Sequence, residues 1–171
     1  MQINKESIMV KYIGSTAGNP SSLGKDFKNA DICLYEKSGG NFVLTSDVTF
    51  QSGKTYYLCM KHFIVEAKYG YNKLWANAGR NLAGSMTGEF LGVFPKLILQ
   101  FGKLTKTQLE IIAPILDASG QNVTYYDPNK RTNVTMDTYT GDWELTNKQL
   151  IYGNRTNEGF SCSFIAVRKR V

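Results

Sequence analysis

The chain has 171 residues, of which 42% are apolar and 20% charged, and its formal net charge is +6. This length and composition are those of a globular domain, and they exclude a disordered or fibrous chain. The aromatic content of 12% and the sixteen glycines favour β structure, because aromatic residues are enriched in strands and glycines in turns.

The positive charge is concentrated in the middle of the chain. Residues 61–116 hold seven basic and three acidic residues, which accounts for +4 of the total. Such a segment can face nucleic acid, an acidic protein or an anionic membrane, but its charges are dispersed and a solvated face is the simpler interpretation. The N-terminus has no apolar signal core and no apolar run reaches ~20 residues, so we expect synthesis in a cytoplasm and no membrane anchor.

The cysteines do not predict a metal site or a disulfide framework. Their number is odd, their spacing is too wide for a metal-binding knuckle, and each lies in an apolar strand-like run. We therefore expect buried free thiols at Cys33, Cys59 and Cys162.

The first part of the chain has the pattern of antiparallel hairpins. Strand-like material around Ile8 and Val10 is followed by a linker rich in Gly, Ser and Asn. Alternating or apolar runs then recur between glycine-containing turns, and they predict strands at 30–36, 42–46 and 55–60.

Residues 70–88 differ from the rest of the chain. They contain several glycines and asparagines and show no consistent hydrophobic period, which predicts a long loop. Loops of this length are uncommon in compact domains and are usually functional or mobile. Its apolar side chains require burial against the same domain or another chain, and they are Leu74, Trp75, Leu82 and Met86.

A strand is predicted at 90–101, where Pro95 indicates an edge position or a bulge. A helix is predicted at 105–117, because Thr105 and Gln108 form a capping-box pattern ahead of an amphipathic run. Further strands are predicted at 122–127, 132–139 and 159–169. Many strands with a single helix predict a mostly β fold, a β-sandwich or barrel with one flanking α-helix.

The sequence offers little that could perform catalysis. His62 is the sole histidine and has no nucleophile motif near it, so we interpret it as a structural or surface residue. Asp127, Asp137, Asp142 and Glu144 could pair as glycosidase carboxylates, but Asp127-Pro128 and Gly141-Asp142 are turn signals. We predict no catalytic residue, no metal site and no cofactor.

Exposed aromatic rings provide an alternative function. Stacked rings can bind sugars or bases, and a small carbohydrate-binding module that reads a host surface is the second hypothesis. Burial separates it from an assembly protein, because a binding module keeps a flat cluster of rings exposed. The candidate rings are Tyr56, Tyr57, Tyr69, Tyr71 and Trp75.

Residues 76–167 carry an ordered series of motifs. Asn-Ala-Gly-Arg-Asn at 77–81 and Gly-Ser-Met-Thr-Gly at 84–88 precede a strand ending in Lys-Leu-Ile-Leu-Gln-Phe-Gly and the capped helix. Val-Thr-Tyr-Tyr-Asp-Pro, Thr-Tyr-Thr-Gly-Asp-Trp and a closing Gly-Phe-Ser-Cys-Ser-Phe-Ile strand follow. In this order the motifs resemble a family of small tail proteins of bacteriophages that infect Gram-positive hosts.

The resemblance implies a tail-tube-type β-sandwich flanked by a helix, in a virion protein without catalysis or cofactor. We therefore expect one tail-tube-like domain over residues 1–171, with an appended or inserted hairpin region at 14–60. The expected function is that of a non-enzymatic structural subunit of the tail tube, the tube end or a baseplate adaptor. It would be made in the host cytoplasm and located in the virion tail.

Assembly predicts partners and an interface. We expect a homo-oligomeric ring, a hexamer or trimer, that contacts other phage tail proteins and lets DNA pass its lumen without specific binding. The basic excess at 61–106 then suits an acidic protein neighbour better than DNA. The predicted subunit-interface residues are Leu74, Trp75, Arg80, Leu82 and Met86.

Overall fold

The computed structural model describes residues 8–13, 31–49, 51, 53–148 and 156–170. Within these ranges the chain is mostly β, as predicted, with one α-helix and a 3-10 turn at Met60–His62. The helix is α1 (Lys106–Asp117), and the strands are β1 (Met9–Ile13), β2 (Leu34–Ser38), β3 (Asn41–Leu44), β4 (Thr55–Cys59), β5 (Ile64–Arg80), β6 (Met86–Phe101), β7 (Gln121–Asp127), β8 (Thr132–Thr140), β9 (Asn147–Lys148), β10 (Thr156–Asn157) and β11 (Ser161–Ala166).

Nine strands form one sheet in the order β3-β2-β4-β1-β7-β8-β11-β6-β5, and β9 pairs with β10. Every pair is antiparallel. The strands that precede residue 60 belong to the same sheet as those of the second half. The region predicted as an extra hairpin at 14–60 thus contributes β2, β3 and β4 to the common sheet, and its residues 14–30 lie outside the described ranges.

The sheet curls so that its far strands face each other. β5 and β7 are four positions apart in the strand order, which in a flat sheet would separate them by about 19 Å. Their side chains nevertheless meet, because the Tyr69 and Tyr125 rings stack with centroids 6.0 Å apart. The space enclosed by this curvature holds the main core, which includes Leu99, Phe101, Val123 and Phe164.

Helix α1 closes this core on one side. The predicted capping box is present, with Thr105 as the N-cap and Gln108 at the third helical position. Its apolar face buries Ile111, Ile112 and Ile115. No helix in the part of the chain that the structure describes is long and apolar enough to cross a membrane.

The prediction of a loop at 70–88 was wrong. These residues form the outer half of a hairpin in which β5 and β6 pair from Ile64↔Phe101 to Arg80↔Met86. The register shifts between Leu74 and Trp75 and again between Ala76 and Gly79. Such bulges break the two-residue alternation by which a strand is recognised, so the sequence shows no period although the backbone is extended.

Pro95 occupies a local edge position, one of the two alternatives predicted for it, although β6 is an inner strand of the sheet. β6 lies between β11 and β5, and it pairs with β11 from Gln100 to Lys96. Pro95 is the next residue, so the pairing of β6 with β11 has already ended where the proline ring removes the N–H. Proline is tolerated here because at this position the ladder continues on the β5 side alone.

Candidate assembly surface

The outer half of the β5–β6 hairpin projects beyond the rest of the sheet. We call residues 72–91 the arm. Every residue in it is exposed except Ala76, which is half-buried. By contrast, the inner half of β6 alternates between buried and half-buried side chains from Pro95 to Phe101. The hairpin therefore has a root packed on the domain and an arm with no cover within the described residues.

The arm exposes large apolar side chains on both of its strands. Leu74 and Trp75 on β5 are 46% and 40% exposed, and Phe90 on β6 is 49% exposed. The Trp75 and Phe90 rings contact each other across the strands, with centroids 5.0 Å apart. The other exposed apolar residues of the arm are Leu82, Met86 and Leu91.

The tip of the arm is held in a defined turn. The backbone N–H of Asn81 donates to the carbonyl of Ser85 at 3.0 Å, and that of Gly84 donates to the carbonyl of Asn81 at 2.9 Å. The Asn81 side chain accepts from the Ser85 N–H, and Arg80 Nη1 donates to the Gly84 carbonyl, each at 2.9 Å. Gly84 has φ +78°, which an L side chain rarely adopts. Leu82 is thus presented at the end of an ordered turn.

The structure brings all five predicted interface residues onto this arm, which makes them accessible but does not identify what they contact. Leu74, Trp75, Leu82 and Met86 are exposed, and Arg80 supports the turn. Phe90 and Leu91 were missed, because the predicted loop ended at residue 88 and both residues were assigned to the strand that follows it. Gly88 and Gly92 lie on either side of these two residues, and two glycines this close were the sequence signal of an irregular strand. Both have a positive φ in the structure.

The residues considered for catalysis are distributed over the molecule. Asp127 and Asp137 lie at opposite ends of the β7–β8 ladder, where they oppose Thr132 and Asn122. Asp142 and Glu144 are exposed in the segment after β8. No group of three or more His, Cys, Asp and Glu side chains suited to a metal ion occurs among the described residues.

His62 is exposed and borders a recess of about 630 Å³. Cys33 lines the same recess and is half-buried, whereas Cys59 and Cys162 are buried. All three thiols are free, as predicted. Burial raises the pKa of Cys162 to about 11, so this thiol is protonated and unreactive near neutral pH.

Of the five candidate ring-stacking residues, one is buried and three are half-buried. Tyr56 is fully buried, and its hydroxyl donates to Asp47 Oδ2 at 2.7 Å. Tyr57 packs edge-on against Phe42, and Tyr69 stacks on Tyr125. Tyr71 is half-buried, and its hydroxyl donates a hydrogen bond to the Asp127 carboxylate. Trp75 alone remains exposed.

Comparison of this chain with protein-family models, with curated proteins and with solved structures found no significant match.

Proposed function

We propose that this chain is a non-catalytic structural subunit of a bacteriophage tail, which uses the arm to assemble with copies of itself and to contact neighbouring tail proteins. The observation that carries the proposal is the arm, where six large apolar side chains are exposed on one projecting hairpin. The tail assignment, with its tail-tube-type sandwich and virion location, comes from the resemblance of residues 76–167, which include most of the arm.

The exposure of these side chains is the physical argument for a partner. Scattered single apolar residues are ordinary on protein surfaces, but contiguous groups mark interaction sites. A two-stranded hairpin beyond its sheet is marginally stable in water, and a partner that covers it would stabilise it. Tryptophan is among the residues most often found at the energetic centre of an interface, and phenylalanine is enriched at interfaces, so Trp75 and Phe90 suit this role.

The open ends of the sheet provide a second surface for assembly. Within the described ranges β3 and β5 each pair on one side only, so their outer backbone groups can accept another strand. Contacts between two different surfaces of identical subunits produce rings when the rotation closes. The sheet edges and the arm are two different surfaces of the kind that a closed ring requires, and we propose a hexamer or a trimer.

The charge around the arm favours a protein neighbour over DNA. Lys73, Arg80 and the acidic Glu89 lie on the arm. Arg168 and Lys169 follow β11 and are exposed, so the surface around the arm is basic on balance. A surface that mixes apolar and basic side chains complements a partner protein whose surface has an apolar centre and an acidic rim. A lumen through which DNA passes must bind the DNA only weakly, so these basic side chains suit a protein neighbour better than the wall of a lumen.

The test replaces Leu74 and Trp75 with serine and measures mass by light scattering across a concentration series. Loss of two central apolar residues should weaken association by roughly 100- to 1,000-fold. The matched control is Val48→Ser with Tyr139→Ser, two exposed apolar residues outside the arm and outside the edge strands β3 and β5, and it should assemble as the unchanged protein does. Unchanged assembly of the arm variant, or a protein that stays monomeric at every concentration, contradicts the proposal.

The Trp75–Phe90 pair also favours the second candidate, a carbohydrate-binding module that reads the host surface. Two adjoining exposed rings can stack on a sugar, although their planes are inclined by 54°. Negative-stain images separate the candidates, because closed rings exclude a monomeric module. Binding of host cell-wall glycans by a monomer, lost in Trp75→Ser, would favour the module.

A further inference from the structure

A cluster of three side chains lies at the root of the hairpin, where the arm begins. The Tyr71 hydroxyl on β5 donates to Asp127 Oδ1 at the end of β7, at 2.6 Å. Arg170 Nη1 lies 3.7 Å from Asp127 Oδ2, and the guanidinium carbon lies 5.3 Å from the centre of the Tyr71 ring. We call Tyr71, Asp127 and Arg170 the root cluster.

The Asp127 carboxylate is the centre of this cluster. Its side chain is fully buried, and Oδ1 also accepts the backbone N–H groups of Asn129 at 2.8 Å and Lys130 at 3.3 Å. Burial alone would raise the pKa of Asp127, but these hydrogen bonds and the Arg170 charge outweigh it and hold the pKa below 3.8. The side chain is therefore a buried anion near neutral pH. Loss of the groups that compensate its charge would leave a buried unpaired anion and would lower the free energy of unfolding.

One contact in the cluster is incomplete. Asp127 Oδ2 and Arg170 Nη1 are both buried, they face each other, and neither makes a hydrogen bond. The guanidinium is thus held by charge attraction and by the Tyr71 ring rather than by a hydrogen-bonded pair. Such a contact depends on the position of the segment that carries Arg170.

The segment that follows β11 crosses the root of the hairpin. Arg170 N donates to the Val93 carbonyl of β6 at 2.7 Å, and Val167 N donates to the Asp137 carbonyl of β8 at 2.9 Å. Lys169 packs along Gly92, where a Cβ would lie 2.9 Å from Lys169 Cδ. Residues 167–170 therefore support the root up to Gly92, and beyond it the arm is two-stranded.

We infer that Tyr71, Asp127 and Arg170 are positioning residues that fix the direction in which the arm leaves the domain. The inference rests on the proposed function, in which the arm contacts the next subunit. Two strands without a third partner bend and twist easily, so the aim of the arm depends on how its root is held. A root held by a buried anion, a ring and a backbone hydrogen bond presents the arm already oriented, which lowers the entropic cost of docking.

The test measures the distance between the arm tip and the domain by electron–electron double resonance in dilute monomer. Spin labels are attached at Leu82→Cys and Lys106→Cys, in a background in which Cys33 is serine. Lys106 is suitable because its side chain is 91% exposed on α1, and the remaining cysteines are buried. Arg170→Ala and Tyr71→Phe should broaden the distance distribution and shift its centre. The matched control Arg168→Ala removes the same charge from an exposed site and should leave the distribution narrow.

Hydrogen exchange is the second measurement and needs no label. Loss of one buried charge-assisted hydrogen bond in Tyr71→Phe should make the amides at 67–73 and 93–97 exchange about tenfold faster. Amides of β7 and β8 away from the cluster should keep their rates. A general rise in exchange over the whole domain would indicate ordinary destabilisation and would overturn the inference.

The outcomes separate this inference from the proposed function. If Arg170→Ala and Tyr71→Phe give the narrow distribution of Arg168→Ala, the root cluster does not position the arm. If they broaden it while assembly keeps its full strength, the root cluster fixes the direction of the arm as inferred, and the lower entropic cost of docking is overturned. If Leu74→Ser with Trp75→Ser leaves assembly intact, the proposed function fails, whereas the distance measurement still stands.

Discussion

Gly159 lies where the chain passes against the carbonyl of Phe101, and no larger residue fits there. A Cβ at this position would be closer to that oxygen than carbon and oxygen can approach. Next to it, Phe101 N donates to the Phe160 carbonyl at 2.7 Å, and the two phenyl rings stack with centroids 4.7 Å apart. A glycine is thus required by a close approach of backbone rather than by its own torsion angles.

We predict that Gly159→Ala lowers the free energy of unfolding by about 1–3 kcal/mol, because the new methyl group forces the Phe101–Phe160 contact apart. Urea denaturation followed by circular dichroism measures this change. Gly141→Ala is the control, because the nearest atom to its Cβ would be Ser163 Cβ at 3.7 Å, an ordinary contact. Equal stability of the two variants would show that the approach at Gly159 relaxes at little cost.

At the scale of the element, α1 and the arm show how far local sequence determines structure. The N-terminus of α1 is specified by residues within one turn, since Gln108 N donates to Thr105 Oγ1 at 3.2 Å and Thr105 N donates to Gln108 Oε1 at 2.9 Å. Such a motif is recognisable because both partners lie three residues apart. The arm has no comparable local signal, since its residues pair with partners up to 22 residues away (Asn72 with Phe94) and its bulges interrupt the period.

We predict that Thr105→Ala destabilises the domain by about 1 kcal/mol, within a range of roughly 0.5–2 kcal/mol, because the Gln108 N–H loses its acceptor. Thermal or urea unfolding measures the change. Thr105→Ser keeps a hydroxyl oxygen at the cap and should restore nearly all of the stability. If alanine and serine have the same effect, the capping box does not contribute measurably.

At the scale of the molecule, the curvature of the sheet creates contacts that no single element contains. Tyr71 of β5 and Asp127 of β7 are 56 residues apart in sequence, and they meet because the sheet folds back on itself. The same curvature buries Tyr125, and burial raises its pKa to about 12. Because Asp127 joins β7 to β5 through Tyr71, the stability of the domain depends on the ionisation of this buried carboxylate.

We predict acid sensitivity that depends on Asp127. The folded-state pKa of Asp127 lies below its ordinary value of 3.8, so its contribution is fully present above that value. The contribution should be lost as the pH falls below 3.8 and then through the lower folded-state pKa. Asp127→Asn should be less stable than the unchanged protein at pH 7, and the difference should shrink over this range. Urea midpoints measured at successive pH values give the result.

The control for this experiment is Asp142→Asn, which removes a carboxylate from the exposed segment after β8. Its unfolding midpoints should follow those of the unchanged protein from pH 7 downwards. A difference between Asp127→Asn and the unchanged protein that stays constant with pH would mean that the loss is one of packing, not of charge.

The sequence by itself determined the mostly β class, the capped helix, the free cysteines and the apolar composition of the arm. These follow from short-range causes: alternation of side chains along a strand, a cap closed within one turn, and the number and spacing of cysteines. The turn at Asp127-Pro128 was also predicted, and Asp127 does accept the Asn129 and Lys130 N–H groups.

Only the tertiary structure decided that residues 70–88 are part of a hairpin, and that Tyr71, Asp127 and Arg170 meet. It also decided that of the five candidate tyrosine and tryptophan rings one is buried and three are half-buried. Each of these depends on register and on the curvature of a nine-stranded sheet, which bring together residues far apart in the chain. Whether an apolar side chain is buried or exposed depends on where its strand extends relative to its neighbours. Leu74 and Trp75 are exposed because the pairing of β11 with β6 ends before it reaches the arm. The sequence around these two residues does not encode where that pairing ends.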